Sequence, residues 1–496
     1  MKQHISLVAL LLVSHFLFAQ DPQSYASIVE PKALKENLSI IASDAMEGRF
    51  TGSRGQKMAA AFIADHFERL GLKAINNGSY YQPFNLYSYK QGEISIASAT
   101  KKFSTHEDVV YYGTADSGGP KQVEVVFVAG GSEDDLVQVV VKDRVPLLIA
   151  PDLEFGKVIP IVNKLKASGA ATVMIYSMVP DEEYRTFMEE LQGTLSSGRT
   201  SLHRASADEV QVYIVSKAVV ENMFGSFDKL KPVIAGQKKN ALKKMKPVKA
   251  TLTAQITEST IKTENVMGYL EGTDKKDEVL LITAHYDHIG VANGTGGDWV
   301  NNGADDDGSG TVSVLQLATA FTQAKKDGHG TRRSILFMTV AAEELGLYGS
   351  EYYTDTNPVI PLEKTVADLN IDMVGRWDPQ HAGKAPYVYV IGADKLSSEL
   401  QEISVRNNEK YTKLEFDYTY NDENHPSNLY HRSDHWNFAK HRVPIIFYFD
   451  GIHEDYHKPS DEVSKIDFDL LAKRGQCVFY TAWEIANRDG RLKVDK

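Results

Sequence analysis

Residues Glu278 to Gly290 read EVLLITAHYDHIG: a short apolar run, Val279 to Ala284, closing on His285, a polar cluster and a glycine. A run of this length, followed at once by a polar turn, reads as a strand buried on both faces. Working outward, the pattern repeats. Ser309 to Lys325 reads as a helix, Ser334 to Ala342, Thr365 to Met373 and Tyr387 to Ile391 as strands, and Lys395 to Lys410 as a helix. Val443 to Phe449 then reads as a strand and Phe468 to Asn487 as a helix. This alternation predicts an α/β fold, a mostly parallel central sheet with helices on both faces. Ligands of such sheets bind beyond the carboxyl ends of the strands, so the residues after each strand are where chemistry is to be sought.

Upstream, residues 32 to 75 predict two helices. The second runs over Gly55 to Leu72, with Ile63, Phe67 and Leu70 on one face and Gly71 placed to end it. The texture then changes to short β-type runs such as Val123 to Val128 and Val145 to Ala150, with a helix near Val162 to Ser168. The expected organisation is a signal segment over 1–19, an N-terminal part of the main domain over 20–95, a β-rich insertion over 96–255 and the rest of the main domain over 256–496. The insertion closes on the Lys-rich stretch Lys238 to Lys249, read as a solvated linker.

A chain of 496 residues with 42% hydrophobic and 24% charged residues has ordinary globular composition, which excludes disordered, collagen-like and coiled-coil classes. Its net charge of −12 argues against a nucleic-acid partner. The single cysteine, Cys477, excludes an internal disulfide and a Cys-rich zinc site, and its apolar surroundings read as a buried thiol. Lys2 and the apolar run Ile5 to Ala19, ending before Gln20-Asp21-Pro22, fit a cleaved secretory signal. No second stretch reaches membrane length and no cysteine near the cleavage point is available for a lipid, so the expectation is a secreted or periplasmic protein without a membrane partner.

Five segments carry candidate chemistry. His285 is followed two positions on by Asp287, a carboxylate able to fix an imidazole tautomer. Asp305-Asp306-Asp307 opens an apolar helix, and three adjacent acids near a core are costly unless a cation neutralises them. Glu343-Glu344 follows a strand, where neighbouring side chains diverge, so that one can hold metal while the other moves protons. Asp372 sits within an apolar run, and His457 stands in a loop beside Tyr456 with Asp461 available to orient it. Imidazole and carboxylate without thiolate suit zinc in an open catalytic site, and five candidate ligands are too many for one ion. Ser309 reads as a helix-start residue because no nucleophile elbow surrounds it. His288, Asp434 and His435 are candidates for lining a pocket or buttressing ligands. His425, His431, His441 and His453 read as surface or packing residues.

These segments resemble the co-catalytic two-zinc aminopeptidase family, which includes bacterial leucyl aminopeptidases, glutamate carboxypeptidase and the transferrin receptor. The resemblance covers roughly 30 to 90 and 260 to 490, and the insertion resembles the protease-associated domain that many members carry. It implies the zinc exopeptidase fold, a peptide substrate and two Zn2+ ions. Asp306 would bridge both ions, His285 and Asp372 would complete one site, and Glu344 and His457 the other. Glu343 matches the family's general base, Tyr456 a tyrosine that hydrogen-bonds the developing oxyanion, and Asp306-Asp307 a non-proline cis peptide. Three ligand carboxylates against two divalent ions leave about one positive charge, which favours deprotonation of a shared water near neutral pH. The expected function is therefore an exported zinc aminopeptidase. Carboxypeptidase or dipeptidase action on the same scaffold is the rival; the complete ligand set argues against a one-zinc glutaminyl cyclase and against a non-catalytic receptor. The residue types leave side-chain preference and oligomeric state open.

Overall fold

The computed structural model describes residues 22–496 apart from 106–107, 153, 197, 207–208, 239 and 293–296. The signal-segment reading over 1–19 lies outside the described residues. The chain divides into two compact units, one formed by the chain up to Phe84 with Thr263–Lys496, the other by Asn85–Lys262. Composition places these divisions at 95/96 and 255/256. Two long strands, Tyr81–Ala97 and Val248–Leu270, run through them, so no turn or glycine-rich linker marks either one.

The first unit is built on a sheet of seven described strands: the later part of β1 (Val248–Leu270), β2 (Lys275–His285), β3 (Arg333–Val340), β4 (Thr365–Ile371), β5 (Tyr387–Ile391), β6 (Glu415–Asp417) and β7 (Ile445–Phe449), in the order β6-β5-β7-β4-β2-β3-β1. The pairs β2/β3, β2/β4, β4/β7 and β5/β6 are parallel, whereas β1/β3 and β5/β7 are antiparallel. The strand first read from sequence, β2, is central. The chain leaves it for β3 on one side and then returns to β4 on the other, so a topological switch point lies at its carboxyl end.

Helices cover both faces. Val279, Leu281, Leu336 and Met338 pack with Tyr353 and Phe438 on one side. On the other lie α3 (Gly310–Lys326) and α5 (Phe468–Asn487), which both contact β2 and β3, with α4 (Ser398–Asn407) beside α5. Two N-terminal helices, α1 (Pro31–Ile41) and α2 (Arg54–Leu70), pack on α3. Ser53 caps α2 by accepting the amide of Gln56, and Gly71 ends it at φ 80°, a conformation that glycine adopts without steric cost.

The second unit is α/β rather than purely β-rich. Lys121–Phe127, Val145–Ala150, Thr172–Ser177 and Gln211–Val215 form a parallel set, with Val109–Tyr112 antiparallel to the last. Their longer described helices are Phe155–Ala167, Asp181–Ser196, Lys217–Phe224 and Phe227–Ile234. Phe127, Leu147, Tyr176, Tyr184 and Leu230 are part of their shared core.

Between α1 and α2, one buried cation ties the N-terminal segment to the sheet. Arg49 is fully buried and donates to four main-chain carbonyls: Ile41 (2.9 Å), Tyr286 (2.8 Å), Asn302 (2.6 Å) and Gly303 (2.9 Å). It thereby joins the end of α1, the residue after β2 and the loop that leads to α3. Arg49→Ala leaves these carbonyls buried without their donor, and urea unfolding should show a loss of about 3 kcal/mol or more. A loss below about 1 kcal/mol would mean that water replaces the guanidinium there.

Candidate metal centre

Six side chains meet beyond the carboxyl ends of β2, β3, β4 and β7. His285 is the last residue of β2. Its Nδ1 faces the carbonyl of Asp287 at 3.1 Å, which turns Nε2 toward Asp306 Oδ1 (3.2 Å), Asp372 Oδ1 (3.6 Å) and Glu343 Oε2 (4.0 Å). Asp372 follows β4 directly. Ser433 Oγ donates to its Oδ2 at 2.6 Å, which leaves Oδ1 for the cluster. On the opposite side His457 Nε2 lies 3.1 Å from Asp306 Oδ2 and 3.2 Å from Glu344 Oε2. Asp306 thus presents one carboxylate oxygen to each histidine.

The Asp305-Asp306-Asp307 triplet sorts itself by partner. Asp307 accepts the amides of His285 (3.2 Å), Gly310 (2.8 Å) and Met373 (3.1 Å), stitching together β2, α3 and β4. Asp305 accepts the amide of Gly375 at 2.7 Å and faces His453 Nε2 at 3.1 Å. Only Asp306 enters the cluster, and the Asp306–Asp307 peptide is cis. Gly303 makes the approach to this loop, at φ 53°; a Cβ there would stand 2.3 Å from the Asp306 carbonyl and 2.6 Å from the His288 ring. Ala342, Met373 and His457 are also left-handed, at φ 62°, 55° and 56°. Three non-glycine residues in that region, each at or beside a cluster residue, are local strain held by the surrounding fold.

The donor atoms fall into groups able to hold a cation: His285, Glu343 and Asp372 on one side, His288, Asp306 and Glu344 on the other, with His457 closing on the second. The buried Asp306 Oδ2 has no hydrogen-bond partner among the described residues, despite His457 Nε2 at 3.1 Å. Converging nitrogen and oxygen donors with an unpartnered buried carboxylate oxygen at their centre fit a metal ion between them, and the absence of thiolate suits zinc.

Residues 265–482 match the family described as Peptidase family M28. That stretch, less than half of the chain, is similar to that family. Along most of its length the chain is also similar to Aminopeptidase YwaD of Bacillus subtilis (strain 168), with 23% identity over 472 residues, covering 92% of this chain and 85% of the relative. A probable leucine aminopeptidase of Arthroderma benhamiae is 28% identical over 223 residues, 43% of this chain and about half of the relative, 55%. Among solved structures, the aminopeptidase from Aneurinibacillus sp. strain AM-1 shares the fold, with a TM-score of 0.56 at 18% identity, over 96% of this chain and 98% of the other.

The site departs from the sequence reading in three details. The Asp287 carboxylate does not hold the His285 imidazole, since the Asp287 carbonyl does; the carboxylate accepts Thr51 Oγ1 (2.7 Å) and the amide of Glu343 (3.2 Å) and so anchors the glutamate pair. Asp461 does not orient His457; it accepts the amides of Asp305 (3.0 Å) and Asp306 (3.2 Å). His288 takes one of its two expected roles, buttressing a ligand: it is buried, with Nδ1 2.7 Å from Glu344 Oε1. Asp434 and His435 are buried away from the cavity: Asp434 accepts Ser350 Oγ, and His435 stacks on Phe447. From that segment it is Leu429 and Arg432 that reach the cavity in front of the cluster, with Met373, Phe447, Phe449, Ile452 and Tyr456. Among the described residues the Ser309 hydroxyl bonds only main chain, donating to the Asp305 carbonyl (2.9 Å) and accepting the Val374 amide (2.9 Å).

The electrostatics follow from burying so many acids together. Burial, reinforced by Glu344, Asp372 and Asp434, holds the Glu343 carboxyl well above the usual range. Burial also opposes ionisation of Asp306 and Glu344, but histidine neighbours outweigh it and hold both below that range: His285 and His457 act on Asp306, His288 and His457 on Glu344. Burial disfavours charge on the histidines too, yet Glu343, Asp372 and Asp306 hold His285 well above its ordinary value, and Asp306 with Glu344 pushes His457 up to about 10.

Without metal, both imidazoles therefore carry a proton near neutral pH, and the stabilisation from pairing protonated His457 is present in full below its unfolded value of about 6.5 and lost as pH rises through about 10. A zinc ion needs the neutral rings. Calorimetric titration of the metal-free protein with Zn2+, in buffers of different ionisation heat near neutral pH, should show release of about one proton or more per protein, with affinity rising toward pH 10. Heat independent of the buffer would contradict this charge state.

Proposed function

We propose that this chain is an exported zinc-dependent aminopeptidase, with two Zn2+ ions held by His285, Asp306 and Asp372 and by Asp306, Glu344 and His457. The observation that carries the reading is the division of Asp306 between two histidines, with Glu343 beside the first group. Similarity to Aminopeptidase YwaD along most of the chain supports action at the amino end over carboxypeptidase or dipeptidase activity. The intact donor set supports an enzyme over a receptor-like binding protein. No described helix is long and apolar enough to cross a membrane.

When bound, the zinc ions would lower the pKa of a water molecule and polarise the scissile carbonyl. The remaining work falls to this chain's own side chains. Glu343 accepts the proton of the attacking water and delivers it to the leaving amine. Its position is fixed by the hydrogen bond that its backbone N–H donates to the Asp287 carboxylate, which Thr51 Oγ1 holds in turn. Tyr456 stacks on the His457 ring, with centroids 3.9 Å apart. Burial and the surrounding acids Asp306, Glu344 and Glu343 push its phenol well above the usual range, so it keeps its proton and donates to the carbonyl oxygen as charge develops there. His288 and Ser433 orient Glu344 and Asp372.

Metal analysis followed by hydrolysis of aminoacyl anilides, N-blocked peptides and dipeptides tests the reading. Cleavage restricted to free amino termini is the expected result; cleavage of N-blocked peptides from the other end would select the carboxypeptidase. Glu343→Gln should lower kcat by about 10²- to 10⁴-fold while the zinc content stays at the wild-type level. Loss of zinc with the rate retained would contradict its role. Tyr456→Phe should lower kcat by about 10²-fold with little change in KM, and an unchanged kcat would remove the tyrosine from the reaction.

A further inference from the structure

The cavity in front of the cluster has two kinds of wall. His285, Asp306, Glu343 and Asp372 form its acidic floor, and Met373, Leu429, Phe447, Phe449 and Ile452 give it apolar sides. One side chain fits neither description. Among the described residues Arg432 is the only lysine or arginine lining the cavity; it is exposed, and its guanidinium has no hydrogen-bond or ion-pair partner among them. Its main chain, in contrast, is fixed: its amide bonds to the Leu429 carbonyl, and the next residue, Ser433, bonds to both Asp372 and Asn370. The other arginines in this unit that reach inward, Arg49, Arg333, Arg376 and Arg474, all have partners.

We infer that Arg432 is a specificity-determining residue that receives a carboxylate of the substrate, so that the enzyme prefers peptides with a carboxylate close to the scissile bond. The inference rests on the aminopeptidase reading and narrows its substrate class. Two observations carry it. The planar guanidinium fork matches a carboxylate with two parallel hydrogen bonds, and it is the one cationic side chain lining the cavity that is not offered to metal. The backbone at Arg432 and Ser433 is tied down, which places the fork at the cavity without occupying its donors. Two sources offer this chemistry: the side chain of an amino-terminal Asp or Glu, whose methylenes suit the apolar walls, and the free carboxyl end of a dipeptide.

Both sources are separable by experiment on the zinc-loaded full chain. Hydrolysis of Glu-anilide against Leu-anilide reports the side-chain source, and Leu-Gly against Leu-Gly-amide reports the terminal one. In wild type, at least one acidic member of these pairs should be preferred in kcat/KM. In Arg432→Ala that preference should fall by about ten- to a hundred-fold, mainly through KM, and Arg432→Lys should restore part of it. Binding is read separately in the Glu343→Gln background, by calorimetric titration with Leu-Gly, Leu-Gly-amide, Glu-Gly-amide and Gln-Gly-amide, with and without Arg432→Ala. If nothing is hydrolysed but the acidic ligand binds more tightly and loses that advantage in Arg432→Ala, the carboxylate site stands and the aminopeptidase reading falls. Hydrolysis with preference and binding ratios that do not change between wild type and Arg432→Ala leaves the enzyme reading intact and overturns this one.

Discussion

The molecule is organised around the cost of taking carboxylates out of water. Asp306, Glu343, Glu344 and Asp372 meet at one rim, with Asp287, Asp305 and Asp307 directly behind them, and most of these are fully enclosed. An isolated buried carboxylate is strongly disfavoured, and several together add mutual repulsion. The fold meets this with three kinds of positive charge or partial charge. Backbone amides serve the acids behind, protonated or neutral imidazoles face those in front, and the remaining deficit is the electrostatic demand that a divalent cation satisfies.

The arrangement depends on the parallel sheet in a direct way. Parallel strands all deliver their next residues to the same edge, so His285, Glu343-Glu344 and Asp372 arrive together because β2, β3 and β4 point the same way. The helix that follows β2 brings Asp306 back over that edge. Asp307 then locks the three contributions by accepting an amide from each. Arg49 and its four carbonyls hold the loop from the other side.

Much of this was legible in the sequence because each strand is a short apolar run with a polar residue immediately after it. The order of strands and helices from residue 278 onward, and the gathering of His285, the Asp305–Asp307 triplet, Glu343-Glu344, Asp372 and His457 at one sheet edge, follow from reading those junctions. What could not be read involves main-chain atoms, which leave no trace in residue identity. The carbonyl rather than the carboxylate of Asp287 meets His285, and amides rather than His457 occupy Asp461. Among three consecutive aspartates, composition does not distinguish the one that turns inward. Arg49 sits in a polar stretch that reads as loop, and its partners at Tyr286, Asn302 and Gly303 lie far along the chain. In the second unit, the acidic helix Asp181–Ser196 was hidden by its charge, so a layered α/β arrangement read as mostly strand.

The donors span roughly 170 positions, from His285 to His457, and no two of the strand ends that carry them form a local hairpin. An unfolded chain therefore offers a cation no preassembled cradle, and ion capture has to follow completion of the sheet. Such an ion binds the finished architecture far better than any precursor, and mass action then makes its free concentration a determinant of how long the folded chain survives proteolysis.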